Sequence, residues 1–154
     1  MMERTLLLSD SQTPLDRPQE RPHDQVSEEV LIDKRVVIAE DEGIICMQLD
    51  RLLKRAGLQV VGKAGNGQQA VEIVLRERPD IVLMDIRMPL MDGMQAAERI
   101  LQEYRPCIMF VTAFTHFQEQ ARQIDACGYL VKPVTSENLL PALREAYAFW
   151  QQRA

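Results

Sequence analysis

With 154 residues, the chain has room for about one domain and one hydrophobic core. A content of 46% apolar and 27% charged residues, with only 7 Gly and 8 Pro, excludes the collagenous and wholly disordered classes. The net charge of −5 offers no global basic field to nucleic-acid phosphates, so direct nucleic-acid binding by this chain is not expected. No apolar run approaches the ~20 residues of a membrane span. The Leu6-Leu7-Leu8 run sits among Glu3, Arg4, Asp10, Asp16 and Arg17, which is not the basic-then-apolar pattern of a secretory signal. A cytoplasmic protein without membrane contact is the expectation. Cys46, Cys107 and Cys127 are an odd number without a C-x-x-C pair or a His cluster, so reduced, buried thiols are expected rather than a disulfide framework or a zinc site.

Residues 1–34 hold eight acids and four bases, with Pro14, Pro18 and Pro22 and few large apolar residues after Leu8. Such a segment cannot bury enough surface to offset its chain entropy. A flexible leader is expected over 1–34, followed by one domain over 35–154.

From Arg35 onward, short apolar runs alternate with helical patterns. The runs are Val36–Ala39, Val60-Val61, Ile81–Met84, Ile108–Val111 and Tyr129–Val131. Runs that are apolar throughout, and too short for helices, suit strands covered on both faces of a parallel sheet. Ile45, Leu49, Leu52, Leu53 and Ala56 mark a first helix stopped at Gly57, and Ala70, Ile73 and Val74 a second closed before Pro79. Ala97, Ile100, Leu101 and Tyr104 predict a third, ended before Pro106, and Phe117, Ala121 and Ile124 a fourth, ended near Gly128. The fifth runs from Leu139 to Trp150, where two adjacent apolar stripes make a face wider than one sheet contact needs. Five strand–helix repeats imply right-handed crossovers and helices on both faces of a single sheet.

In an open parallel sheet, ligands bind beyond the carboxyl ends of the strands. Glu40, Asp41 and Glu42 follow the first strand, Asp85 the third, Thr112 ends the fourth, and Lys132, with Pro133 after it, follows the fifth. Crowded carboxylates repel one another, and a hard cation relieves them; Mg²⁺ takes oxygen ligands, usually one or two carboxylates with waters and phosphate oxygens. Asp41 and Asp85, with Glu40, meet that description. Lys132 adds a compact positive charge and Thr112 a hydroxyl donor, the parts needed to hold phosphoryl oxygens. The set points to phosphoryl transfer onto an aspartate.

These stretches resemble the receiver domains of two-component response regulators. The matching residues are Val37-Ile38-Ala39-Glu40-Asp41-Glu42, then Leu83 to Pro89 with Met91-Asp92-Gly93, then Val111-Thr112-Ala113, and Gly128 to Pro133. The resemblance implies a flavodoxin-like sheet of order 2-1-3-4-5, with Asp85 as phosphoacceptor and Glu40 and Asp41 as the acidic Mg²⁺ pair. The Arg87 carbonyl would be a further metal ligand, Thr112 and Tyr129 the switch pair, and Lys132 the phosphoryl-contacting lysine ahead of a cis proline. The first acid is Glu40 where Asp is also common. A sensor histidine kinase or phosphotransfer protein is the implied donor. The fourth helix, fifth strand and fifth helix (roughly 116–126 and 129–153) would be the surface for a homodimer or downstream effector. The chain also looks similar to receivers that precede a helical antiterminator module, and it would act alone by binding or as part of a longer regulator.

Other features have plainer readings. Gly62, Gly65 and Gly67 do not match the dinucleotide or P-loop spacing and predict a turn. His116 is expected at an exposed helix start, and Asp92 as a cap of the third helix. Two alternative functions are weighed: a phosphorylation-independent scaffold, against which the complete acid, Thr and Lys set counts, and an aspartyl-phosphate hydrolase. The hydrolase would need an Asp-x-Asp pair, and Arg87 stands in the second place.

Overall fold

The computed structural model describes residues 30–153. Ten elements alternate: β1 (Arg35–Ala39), α1 (Gly43–Arg55), β2 (Gln59–Ala64), α2 (Gly67–Glu77), β3 (Ile81–Met84), α3 (Gly93–Leu101), β4 (Cys107–Thr112), α4 (Gln118–Gln123), β5 (Gly128–Val131) and α5 (Leu139–Arg153). The strands form one sheet of order β2-β1-β3-β4-β5, with every pairing parallel. This is the doubly wound architecture that the alternating pattern predicts.

The continuous apolar runs are the three central strands. β3 and β4 are buried at every position, and β1 at all but Arg35, because helices cover both faces. Val37, Val82, Ile108 and Phe110 pack with Ala70 and Val74 of α2, Ala97 and Ile100 of α3 and Ala121 of α4. On the opposite face, α1 buries Leu49 and Leu53 and α5 buries Leu139, Leu143, Ala146 and Tyr147. The edge strand β5 is half-buried along its whole length.

Several boundaries differ from the pattern. Gly62 lies inside β2, not in a turn. A Cβ there would stand 2.5 Å from Cγ2 of Ile73 on α2, and the register slips beside it, between Val36 and Val37 of β1; a glycine lets helix and strand approach at this irregularity. The third helix stops at Leu101, short of Tyr104, whose hydroxyl instead donates to the Pro79 carbonyl at 2.8 Å. The wide apolar face of α5 is largely internal. Both stripes contribute buried residues, Tyr147 stacks on Trp150, and Trp150 donates its indole N–H to the Arg105 carbonyl at 3.1 Å. Phe149 alone among its aromatics is exposed, at 43%.

Of the leader expected over 1–34, residues 1–29 lie outside the described residues. Leu31 is buried, Asp33 N–H donates to the Gly57 carbonyl at 2.8 Å, and Gln59 N–H donates to that of Lys34 at 2.8 Å. No helix among the described residues is long and apolar enough to cross a membrane.

Candidate functional site

Ladder hydrogen bonds continue one residue past the strands and so fix where each polar side chain emerges. Glu40 N–H donates to the Ala64 carbonyl at 2.9 Å, Asp85 N–H to that of Ala39 at 2.9 Å, and Lys132 N–H to that of Thr112 at 2.8 Å. Residues at three strand ends thus stand level at the carboxyl edge of the sheet. Glu40, Asp85 and Thr112 are the buried polar residues of the described chain.

Glu40, Asp41 and Asp85 each offer a carboxylate oxygen, and these oxygens lie within 4.8 Å of one another. Lys132 Nζ joins the two buried carboxylates, at 2.8 Å from Oε1 of Glu40 and 3.0 Å from Oδ2 of Asp85. The other Asp85 oxygen accepts the Ile86 N–H at 2.7 Å, and Oε2 of Glu40 accepts that of Glu42 at 3.1 Å. Burial pushes the Glu40 carboxyl above its ordinary pKa, the Lys132 hydrogen bond opposes this, and the neighbouring Asp85 adds to it. Burial also works against the Lys132 ammonium, yet its bonds to Glu40 and Asp85 prevail and hold its pKa above the usual lysine value. Three carboxylates against one ammonium leave a concentrated negative charge with oxygen donors only, a set that suits a hard dication. The Mg²⁺ expected from the sequence fits these residues.

Thr112 Oγ1 is wholly buried and makes no hydrogen bond among the described residues. An unpartnered buried hydroxyl costs about 1–3 kcal/mol, and this one stands at the carboxyl edge of the sheet beside the acidic residues. Tyr129, half-buried on β5, donates its hydroxyl to the Phe114 carbonyl at 2.6 Å. It therefore ties β5 to the loop that follows Thr112. Arg87 does not turn its guanidinium into the acidic pocket; it lies 4.9 Å over the Phe114 ring. The sequence assigns no site role to Phe114, nor to Glu42 beyond its place after the first strand, although the Glu42 carboxylate lies 3.8 Å from Lys132 Nζ. Glu42 was legible as the third acid after β1, whereas the Arg87–Phe114 contact joins loops 27 positions apart and has no local signal.

Backbone details hold the pocket's floor. Gly93 starts α3 against the Asp85 carbonyl, where a Cβ would collide; Asp92 caps α3, as expected, and Gln95 completes a reciprocal box with it. The Lys132–Pro133 bond is cis. His116 is exposed, with its ring 4.2 Å from that of Phe117.

A doubly wound parallel sheet that gathers acids, a hydroxyl and an ammonium at its carboxyl edge defines the class of phosphorylation-dependent signal receivers. The response regulator receiver domain model matches residues 36–144, and the chain belongs to that family, the receivers of two-component systems. It is 41% identical over 123 residues to the transcriptional regulatory protein PdtaR of Mycobacterium tuberculosis, a match covering 79% of this chain and 60% of that protein. It is 44% identical over 114 residues to the positive alginate biosynthesis regulatory protein of Pseudomonas aeruginosa, covering 72% and 46%. The matched region thus spans about half to three-fifths of these relatives. Among solved structures, the signal receiver domain of the putative response regulator NarL from Mycobacterium tuberculosis superposes with a TM-score of 0.71 at 30% identity, covering 76% of this chain and 98% of that one. Receiver domains bind Mg²⁺ at an acidic pocket and interact with histidine kinases or phosphotransfer proteins and with effectors.

Proposed function

We propose that Asp85 is the phosphoacceptor of this receiver, taking a phosphoryl group from a phosphohistidine on a sensor histidine kinase or phosphotransfer protein. The phosphorus–nitrogen bond of the donor breaks, a bond forms from phosphorus to an Asp85 carboxylate oxygen, and the imidazole departs. Glu40, Asp41 and Asp85, with the Arg87 carbonyl, are the groups that would hold Mg²⁺. Bound there, the metal supplies the charge neutralisation that lets an anionic phosphoryl group meet a carboxylate. Lys132, already between Glu40 and Asp85, contacts a phosphoryl oxygen, and the Thr112 hydroxyl donates to another. Tyr129 carries the change to the surface of α4, β5 and α5, where a second copy or an effector binds. The chain promotes only its own phosphorylation and dephosphorylation, in the cytoplasm. The receiver unit is taken as 35–154, with 1–34 as its leader.

The observation that carries this reading is the Lys132 ammonium, 2.8 and 3.0 Å from two buried carboxylates, beside a buried hydroxyl with no partner among the described residues. A hydrolase built on aspartyl-phosphate would need a second carboxylate where Arg87 instead covers Phe114. The test is intact mass after incubation with acetyl phosphate, with and without Mg²⁺. One phosphoryl group is expected, only with the metal and not in Asp85→Asn. A gain in the variant, or none in the wild type with Mg²⁺, would overturn the assignment.

A further inference from the structure

Two of the three cysteines have a relation that the receiver chemistry does not use. Cys107 is the first residue of β4 and fully buried, whereas Cys127 is half-buried at the bend that leads into β5. Cys127 N–H donates to the Ile108 carbonyl at 2.8 Å, and Met109 pairs with Gly128 in the parallel ladder. Cys127 therefore stands beside Ile108, one step along from Cys107. With strands ~4.8 Å apart and ~3.3 Å per residue, that diagonal puts the two Cα atoms about 5.8 Å apart, inside the window of about 4.4–6.8 Å that a disulfide accepts. The two thiols are close enough to perturb one another, the pair favouring the protonated form at Cys107 and the thiolate at Cys127.

The two sulfurs sit in unlike surroundings. Cys127 lines a groove of about 270 Å³ with Ala121, Arg122 and Phe149, between α4 and α5. It also borders a second depression with Asp125 and Arg153. The hydrogen bond from Cys107 is the main influence favouring its thiolate, with Arg153 helping and burial and Asp125 opposing. Cys107 has no such outlet and is held as the thiol. A partly accessible sulfur whose thiolate form is favoured, beside a buried thiol, is the pairing of an attacking and a resolving cysteine.

We propose that Cys107 and Cys127 form a reversible dithiol–disulfide site, oxidised by a hydroperoxide, at the base of the α4–β5–α5 groove. The Cys127 thiolate attacks the peroxide; a sulfur–oxygen bond forms, the oxygen–oxygen bond breaks, and the leaving oxygen takes up a proton. Cys107 sulfur then attacks the resulting sulfenic sulfur and gives up its proton; the sulfur–sulfur bond forms and water leaves. The pair loses two electrons and two protons, and the peroxide is reduced to water and water or an alcohol. A cellular dithiol reverses the step by exchange. The crosslink ties the start of β4 to the start of β5, and so links the groove beside Phe149 to the redox state of its surroundings.

The full chain is treated with hydrogen peroxide under native conditions, then denatured, alkylated with N-ethylmaleimide and mapped without reduction. The expected result is a mass lower by two hydrogens before alkylation, alkylation falling from three thiols to Cys46 alone, and a linked Cys107–Cys127 peptide that dithiothreitol abolishes. Cys46→Ala should behave as the wild type, and Cys107→Ala should leave a Cys127 sulfenic acid that dimedone traps. Three alkylatable thiols after peroxide, over-oxidised Cys127 beside a free Cys107, or a bridge to Cys46 would each overturn the proposal. The wild-type map decides this whether or not the variants fold.

Discussion

At the amino-terminal end of the sheet, Arg35 is well partnered. Its guanidinium donates to the Glu77 carbonyl at 2.6 Å, to the Arg78 carbonyl at 3.2 Å and to the Glu77 carboxylate at 3.0 Å, while the Arg35 backbone N–H donates to the Asp80 carboxylate at 2.9 Å. At the carboxyl end, one ammonium serves two buried carboxylates and a buried hydroxyl has no partner among the described residues. Both ends are built from polar residues flanking apolar strands. The first is satisfied and serves stability; the second is left short of positive charge and of an acceptor, a deficit that an incoming phosphoryl group and its metal would fill.

The largest effect should come from Lys132→Ala, which leaves Glu40 and Asp85 buried and unpaired. Denaturant unfolding should show a loss of about 3 kcal/mol, and phosphoryl incorporation from acetyl phosphate should slow by about 10²-fold or more. Arg35→Met keeps the apolar stem and loses the ionic end. It should cost about 2 kcal/mol by the same unfolding measurement, with the phosphorylation rate unchanged; a slowed rate would erase the contrast between the two ends. Tyr104→Phe should cost about 1 kcal/mol at neutral pH through the lost bond to Pro79. Burial raises the Tyr104 pKa, so its contribution is full below the unfolded tyrosine value and declines as pH rises through the folded one; the gap between wild type and variant should narrow in alkaline melts.

Two variants sharpen the other side. Thr112→Val removes a hydroxyl without a partner among the described residues at nearly constant volume, so stability should hold or rise by up to about 1 kcal/mol, while phosphoryl incorporation from acetyl phosphate should slow. A loss of stability would mean that the hydroxyl is already satisfied. Asp41→Asn should have the smallest effect, a gain of about 0.5 kcal/mol from relieved repulsion, and Mg²⁺ should raise the melting temperature of the wild type but not of this variant.

The sequence makes one end of the molecule far more legible than the contacts across it. Glu40, Asp85 and Lys132 each follow an apolar run directly, Asp41 comes next after Glu40 and Thr112 ends a strand, so once the runs are strands, parallel topology alone brings these residues together. Asp92 is readable as a cap for the same reason, since capping is a local pattern, whereas its reciprocal partner Gln95 comes from the structure. Gly62 was misread because a glycine between Val61 and Lys63 looks like a breaker, and only the approach of Ile73 makes it a strand residue. The contacts Arg87–Phe114, Trp150–Arg105 and Cys107–Cys127 depend on register and on the lengths of α4 and α5, which no pattern in one segment encodes.

The most direct test of the central claim is to find which residue carries the phosphoryl group in the wild-type chain. Borohydride reduces an aspartyl phosphate to homoserine, and peptide mapping then locates it. After incubation with acetyl phosphate and Mg²⁺, conversion at Asp85 alone is predicted. Conversion at Asp41 or another acid, or a phosphoryl group retained on His116, would contradict the account of this end of the sheet.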